Sequence, residues 1–410
     1  MDIIGYSFTK PGNNMAAIDL SADSFFQDPY PTYQKMRELE TCYWLENHDR
    51  TELEGAWMVS RYADVVKVLR SSHGTSVDVK RLVPEPQRHT FDYTLLFTDP
   101  PDHTRLRALI SAPFSNAGVR HLEDSITRIV DQLIGNLLQR GKVDFLQEFA
   151  LPLPMMVISG LLGTPLEDSG MLRQWTSDLT RGMDSTVVNQ EFLKKQGTVL
   201  RDMSEYFADL LGRAAQPAGS IMERLVSATT AAACSRQDAL AHCLLLLVAG
   251  HETTINLLCS GMFTLLSNPG EMQKLRHNPG LVDRAIDEML RYEAPLQRAT
   301  FRVVTAPLQL SSQEVQRGER VSAVMGAANR DPLQFPHPDR FNISRKPNAH
   351  VSFGLGIHRC LGEKLARTEG RIAFSRLLQR LPSIELVDEN PRWQSRSLFR
   401  ALEALPLSLG

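Results

Sequence analysis

The chain has 410 residues, 42% of them hydrophobic, enough to bury a large core as one unit or two. Its 45 Lys and Arg against 47 Asp and Glu leave no basic excess, which argues against a nucleic-acid binder. Five cysteines, Cys42, Cys234, Cys243, Cys259 and Cys360, form no C-x-x-C pair; that disfavours a zinc ribbon or redox dithiol and points to a reducing compartment.

The first residues, MDIIGYSFTKPGNN, lack the basic-then-apolar order of a signal peptide. The longest strongly apolar stretch, Cys243 to Ala249, is too short to span a bilayer. A soluble, cytoplasmic protein without a membrane anchor is expected. Residues 18–41 carry a helical pattern that Pro29 and Pro31 break early. CYWLE and AWMVS read as short strands, and Tyr62 to Leu69 as a helix. Residues 72–94 are polar and irregular, and so long a loop is usually functional or mobile. A helix then opens at DPPDHTRLR, with Asp99 suited to the N-cap and Pro100 to the first position. His103 and Arg107, four apart, share one face, either a solvated one or a cradle for a carboxylate.

Residues 120–230 read as helical segments separated near Gly141, Pro152–Pro154, Gly163–Pro165 and Pro217. The longest helix follows. Ser235 with Asp238 forms a capping box, and apolar residues cover every side until Asn268-Pro269-Gly270. In its middle stand Ala249, Gly250, His251, Glu252 and Thr253. A carboxylate in so apolar a helix needs a reason, since burying charge is costly. Thr253 is placed to bond the carbonyl of Ala249 or Gly250, and with Gly250 to open a local kink.

Residues 281–292 form a further helix with Glu288 and Arg291 three apart, and P-D-R-F follows at Pro338 to Phe341. Thr300 to Val304 and Val321 to Val324 read as strands of a small sheet. Near the end stands FGLGIHRCLG, Phe353 to Gly362, with helical periodicity from Leu361 to Leu378. Cys360 thus falls at a helix N-terminus, whose free N–H groups and dipole favour a thiolate suited to a metal. The bland alternative for any one such residue is a buried free cysteine beside a glycine turn. The tail after Pro382 reads as β-rich, with Ser397-Leu398-Phe399 a candidate to dip into a pocket.

Phe353, Gly356, His358, Cys360 and Gly362 together resemble the F-x-x-G-x-[HR]-x-C-x-G signature of the cytochromes P450. Ala249, Gly250, Glu252 and Thr253 resemble the family's A-G-x-[DE]-T oxygen motif, and D-P-P-x-H-T-R-L-R resembles the start of its C helix. With E-x-x-R and P-D-R-F in order, the resemblance runs from about residue 25 to 405. It implies one functional domain over 1–410, mainly α with a small β region, and mobile F and G helices around residues 170–212.

The resemblance also implies haem b as cofactor and O2 as co-substrate, with Cys360 as axial thiolate. Phe353, His358 and Gly362 flank the haem below, and Ala249 and Gly250 line it above. His103 and Arg107 would take haem propionates, and Arg302 a second one, with Arg298 as its competitor. Thr253 and Glu252 would deliver protons. Leu245, Val248, Ala249 and Leu296 would face the substrate, although plain core packing is the other reading of these residues. Glu288, Arg291 and Arg340 would form a buried charge network. The implied activity is insertion of one oxygen atom of O2 into an apolar or amphipathic small molecule, a hydroxylation in secondary or xenobiotic metabolism. No flavin or ferredoxin segment falls within the resemblance, so electrons would come from a separate ferredoxin and its reductase. A basic stripe, Lys364, Arg367 and Arg371 with Arg359 beside it, would receive that donor. Two other classes remain open: a haem-thiolate sensor without turnover, and a zinc or cysteine hydrolase using His350, His358 and Cys360.

Overall fold

The computed structural model describes residues 19–39, 42–46, 55–78, 83, 85–182 and 190–410. The N-terminal stretch read for a signal peptide lies outside them, as do residues 183–189 of the F–G stretch. Helices α1 (Asp23–Gln27) and α2 (Tyr30–Leu39) lead into strands β1 (Cys42–Glu46) and β2 (Gly55–Val59), helix α3 (Tyr62–Arg70) and strand β3 (Thr75–Ser76). Short 3-10 turns reach α4 (Asp102–Ile110) and α5 (Asn116–Leu137). Then come β4 (Lys142–Asp144), a π-helical turn at Leu146–Ala150, α6 (Pro152–Leu162), α7 (Ser169–Gly182), α8 (Gln190–Gly212) and α9 (Ile221–Thr230). The 31-residue α10 (Arg236–Leu266) precedes α11 (Pro269–His277) and α12 (Val282–Tyr292). Strands β5 (Arg302–Val304), β6 (Leu308–Gln309), β7 (Glu314–Val315) and β8 (Arg320–Ala323) lead to α13 (Met325–Ala328). Last are α14 (Glu363–Arg380), β9 (Ile384–Leu386) and β10 (Pro406–Leu409).

α10 is the axis. Ser235 Oγ accepts from the Asp238 N–H while the Asp238 carboxylate accepts from the Ser235 N–H, closing the expected capping box. Being apolar on nearly every side, the helix is mostly buried, and α6, α7, α8, α9, α12 and α14 all pack on it. Among the described residues it is the one helix long and apolar enough to cross a membrane, and it is buried in this core.

The larger sheet runs β1-β2-β8-β5-β3, with β2 and β8 parallel. All five residues of β2 are buried, because alternate side chains serve two clusters: Trp57 and Val59 one, Met58 the other. β4 falls within a stretch that reads as helical. It forms because β10 pairs with it, Pro406 opposite Asp144, a partner from the far end of the chain.

Two local expectations are corrected. Asp99 does not cap α4, which begins at Asp102 after Pro101. Its carboxylate accepts instead from Ser76 Oγ and from the Val77 N–H at 3.2 Å, tying the approach to α4 onto β3. Arg340 is not a side-chain member of the buried charge network. It is exposed and offers only its carbonyl, whereas Arg345 Nε lies 3.1 Å from both Glu288 oxygens. Arg291 pairs with Glu288 bidentately at 2.8 Å, both fully buried. Arg345 reaches the pair because the chain turns back after Phe341, with the Asn342 N–H also on Glu288. This knot anchors the long segment that carries the cysteine loop.

Candidate active site

The cysteine loop is shaped by two glycines in the left-handed region, Gly354 at φ +64° and Gly356 at φ +73°. A Cβ on Gly356 would stand 2.7 Å from the Leu69 carbonyl, so the loop presses on α3 as only glycine allows. The Cys360 N–H donates to the Phe353 carbonyl at 2.8 Å, which fixes the sulfur. Among the five cysteines Cys360 alone is exposed.

That thiol is harder to ionise than expected. Burial on its protein side pushes it up to about 11, against the N–H groups of Gly362 and Glu363 and the charge of Arg107. The helix begins at Glu363, not Leu361, and that carboxylate opposes a thiolate. Arg359 is spent on Glu363 at 2.6 Å.

Four cationic or imidazole side chains gather beside the thiol. The His103 ring, buried, meets the His358 ring edge-on at 4.5 Å. Burial and the surrounding charges of His103, Arg302 and Arg107 push His358 down to about 3. Arg302 is buried, with Nη1 3.4 Å from Thr75 Oγ1. Arg107 donates from Nη2 to the Arg359 carbonyl at 2.7 Å, beside the cysteine. His103 Nε2, His358 Nδ1 and Arg302 Nε are buried without partners. Two guanidinium groups beside two imidazoles, with orphaned nitrogens among them, form a donor set suited to an anion. The two propionates of haem fit these donors, and an open thiol fits its iron. Arg298, the competitor for Arg302, instead stacks on Phe301 at 5.0 Å, beside Arg320.

α10 opens in its middle. Ala249 is exposed and Gly250 and Thr253 half-exposed, in a helix whose neighbouring turns are buried. Thr253 Oγ1 donates to the Ala249 carbonyl at 3.0 Å, one of the two acceptors that the sequence left open. Gly250 has a packing reason as well: a Cβ there would meet Ile158 of α6 at 3.1 Å. Glu252 is buried, and its Oε1 accepts from Arg396 Nη1 at 2.6 Å. Of the residues expected at the substrate, Ala249 is open and Leu296 half-buried, while Leu245 and Val248 are buried in the core. Leu296 bridges to Phe399, which brings the tail to this side.

A profile of the cytochrome P450 family matches residues 220–398. The polyketide-biosynthesis cytochrome P450 PksS of Bacillus subtilis is 35% identical over 94% of this chain and 96% of its own. The chain belongs to the cytochrome P450 family. Vitamin D(3) 25-hydroxylase of Pseudonocardia autotrophica is likewise 35% identical, over 96% of each chain. A myxobacterial cytochrome P450 crystallised with myristic acid superposes with a TM-score of 0.88, at 38% identity, covering 95% of this chain and 98% of its own. This P450 is therefore a haem-dependent monooxygenase of small molecules, using O2 and ferredoxin-type electron donors.

The hydrolase alternative finds no site. His350 Nε2 lies 3.5 Å from Asp287 Oδ1 and from Arg367 Nη2. Among the described residues no three His, Cys, Asp or Glu side chains converge as a metal cluster. The basic stripe is also altered. Arg367 pairs with Asp287 and with Glu363, and Arg371 with Glu123 at 2.9 Å, so both cross-link helices. Lys364 stays exposed, without an ion pair among the described residues. Sequence reasoning missed Arg345 and Arg396. The one available signal for Arg396 was a cation inside an apolar tail, two residues before Leu398.

Proposed function

We propose that the thiol loop and the open middle of α10 are the two walls of one haem slot. Cys360 would hold the iron, and His103, Arg107, Arg302 and His358 the propionates. The observation that carries this reading is the set of orphaned nitrogens on His103, His358 and Arg302 around an exposed thiol. Haem, when bound, supplies the activation of O2. On coordination to a metal the Cys360 thiol would lose its proton to solvent, which outweighs the burial that otherwise keeps it protonated. Phe353 and Gly362 flank the sulfur, and the small Ala249 and Gly250 leave room above. Thr253 Oγ1 is placed to hold water in the groove, and the Glu252 carboxylate to pass protons towards it.

Ala249 and Leu296 would face the substrate, with Leu245, Val248 and Phe399 buried behind them. These apolar side chains suit an apolar or amphipathic molecule, and similar P450s crystallised with myristic acid or testosterone, or named for polyketide biosynthesis, agree with that class. We place the protein in the cytoplasm, acting as one catalytic unit; a hydrophobic core cluster that spans Phe91 to Leu407 supports the latter.

The test is the reduced carbon monoxide difference spectrum. Wild type is expected to show the red-shifted Soret band of thiolate ligation, and Cys360→His to lose it while retaining haem. A histidine-type band in wild type would overturn the assignment. Myristic acid, testosterone and a macrolide screened for the low-to-high-spin shift would then narrow the substrate.

A further inference from the structure

The Glu252–Arg396 pair joins residues 144 apart in sequence, with side chains 11% and 6% exposed. It differs from the Glu288 knot, where the acid takes a bidentate fork from Arg291 and further donors. Here one oxygen meets one nitrogen, and Arg396 Nε and Nη2 are buried without partners. A buried pair so poorly satisfied returns less than its desolvation costs. Fold stability does not account for it.

The placement of Arg396 offers another account. Its guanidinium lies over the Phe399 ring at 4.8 Å, and Gln394 Oε1 is 3.4 Å from Nη1. Phe399 bridges Leu296, and the Gln297 N–H donates to the Leu398 carbonyl at 2.8 Å. The turn that carries Arg396 is thus the turn that packs behind Leu296. Glu252 stands one residue from Thr253, and on an unrestrained side chain its carboxylate would sample several rotamers.

We infer that Arg396 is the positioning residue for Glu252, holding its carboxylate at the edge of the groove from the turn behind Leu296. This rests on the reading of Glu252 as the proton-passing acid. Arg396 acts only through that carboxylate, and the Phe399 ring under its guanidinium holds it in place.

The experiment compares Arg396→Gln, Arg396→Lys, Glu252→Gln and the double Glu252→Gln/Arg396→Gln in haem-loaded protein, with a substrate found by the spin-shift screen. The ratio of product to released peroxide is expected to fall about tenfold or more in Glu252→Gln. Arg396→Gln should fall close to it, the double variant no further, and Arg396→Lys should recover most of the loss. Spin-shift affinity for substrate should stay the same throughout. Without turnover, each single variant should melt below the double, because each strands one buried partner. A wild-type ratio in Arg396→Gln, with Glu252→Gln uncoupled, overturns the inference and leaves the role of Glu252 standing. A wild-type ratio in Glu252→Gln overturns both. If Arg396→Gln does not take up haem, the double variant decides against Glu252→Gln: an equal ratio supports the inference, and a lower one overturns it.

Discussion

Glu369 of α14 is 2% exposed, and its Oε2 has no partner. Burial pushes its carboxyl from 4.5 up to about 8. The folded chain therefore keeps this proton between those two values, while the unfolded chain releases it. Proton uptake is greater in the folded state, so stability falls as pH rises from about 4.5 through 8. A difference of this size amounts to about 5 kcal/mol at most. Glu369→Gln keeps the shape and removes the ionisation. It should flatten the decline, raising the melting temperature at pH 8 far more than at pH 5. Equal shifts at both values would mean that the Glu369 carboxyl is solvated or paired after all.

At the scale of elements, the loop from α13 to α14 hangs on the Glu288–Arg291–Arg345 knot. Removing Arg345 leaves the Glu288–Arg291 fork intact but takes a charged donor off a fully buried carboxylate. Arg345→Ala should therefore lower unfolding free energy by about 1.5–3 kcal/mol. Arg340→Ala should change it by no more than about 0.5 kcal/mol, since that side chain is exposed. Denaturant unfolding of the haem-loaded protein measures both. A larger loss from Arg340→Ala would restore Arg340 to the network and remove Arg345. The contrast matters for function because the chain runs on from this knot to the cysteine loop, where Ser352 Oγ donates to the Leu290 carbonyl of α12 at 2.6 Å.

For the whole molecule, the question is where an electron donor docks. The cations of α14 divide by partner: Arg367 and Arg371 hold acids of α12 and α5, whereas Lys364 points to solvent. Charge steering by exposed groups raises association rates and is screened by salt. Lys364→Glu should therefore slow reduction by a ferredoxin at low ionic strength and leave melting nearly unchanged. Arg367→Glu should do the opposite first, lowering the melting temperature by setting a third carboxylate beside Asp287 and Glu363. Stopped-flow reduction over a salt series, beside thermal melts, separates the two. A Lys364→Glu protein reduced at the wild-type rate at low salt would place the donor elsewhere.

Much of this protein was legible from its chain because the decisive signals are local. The Ser235–Asp238 box and the all-round apolar run specify α10 within a few residues of each end, and a helix closes its hydrogen bonds within itself. Glycines at 354 and 356 announce a loop that other residues would strain. Periodicity likewise separates the helical body from the short strands 42–46 and 302–304. Tertiary structure alone decided which arginine meets which acid. Arg345 rather than Arg340 serves Glu288, Arg396 serves Glu252, and the stripe on α14 ties helices together. It also decided that Asp99 holds β3 instead of capping α4, and that 142–144 is a strand. The physical reason is the same in each case. A long charged side chain or an edge strand takes its partner from segments tens to hundreds of residues away, and only the closed packing brings one candidate within reach while leaving its neighbour in solvent.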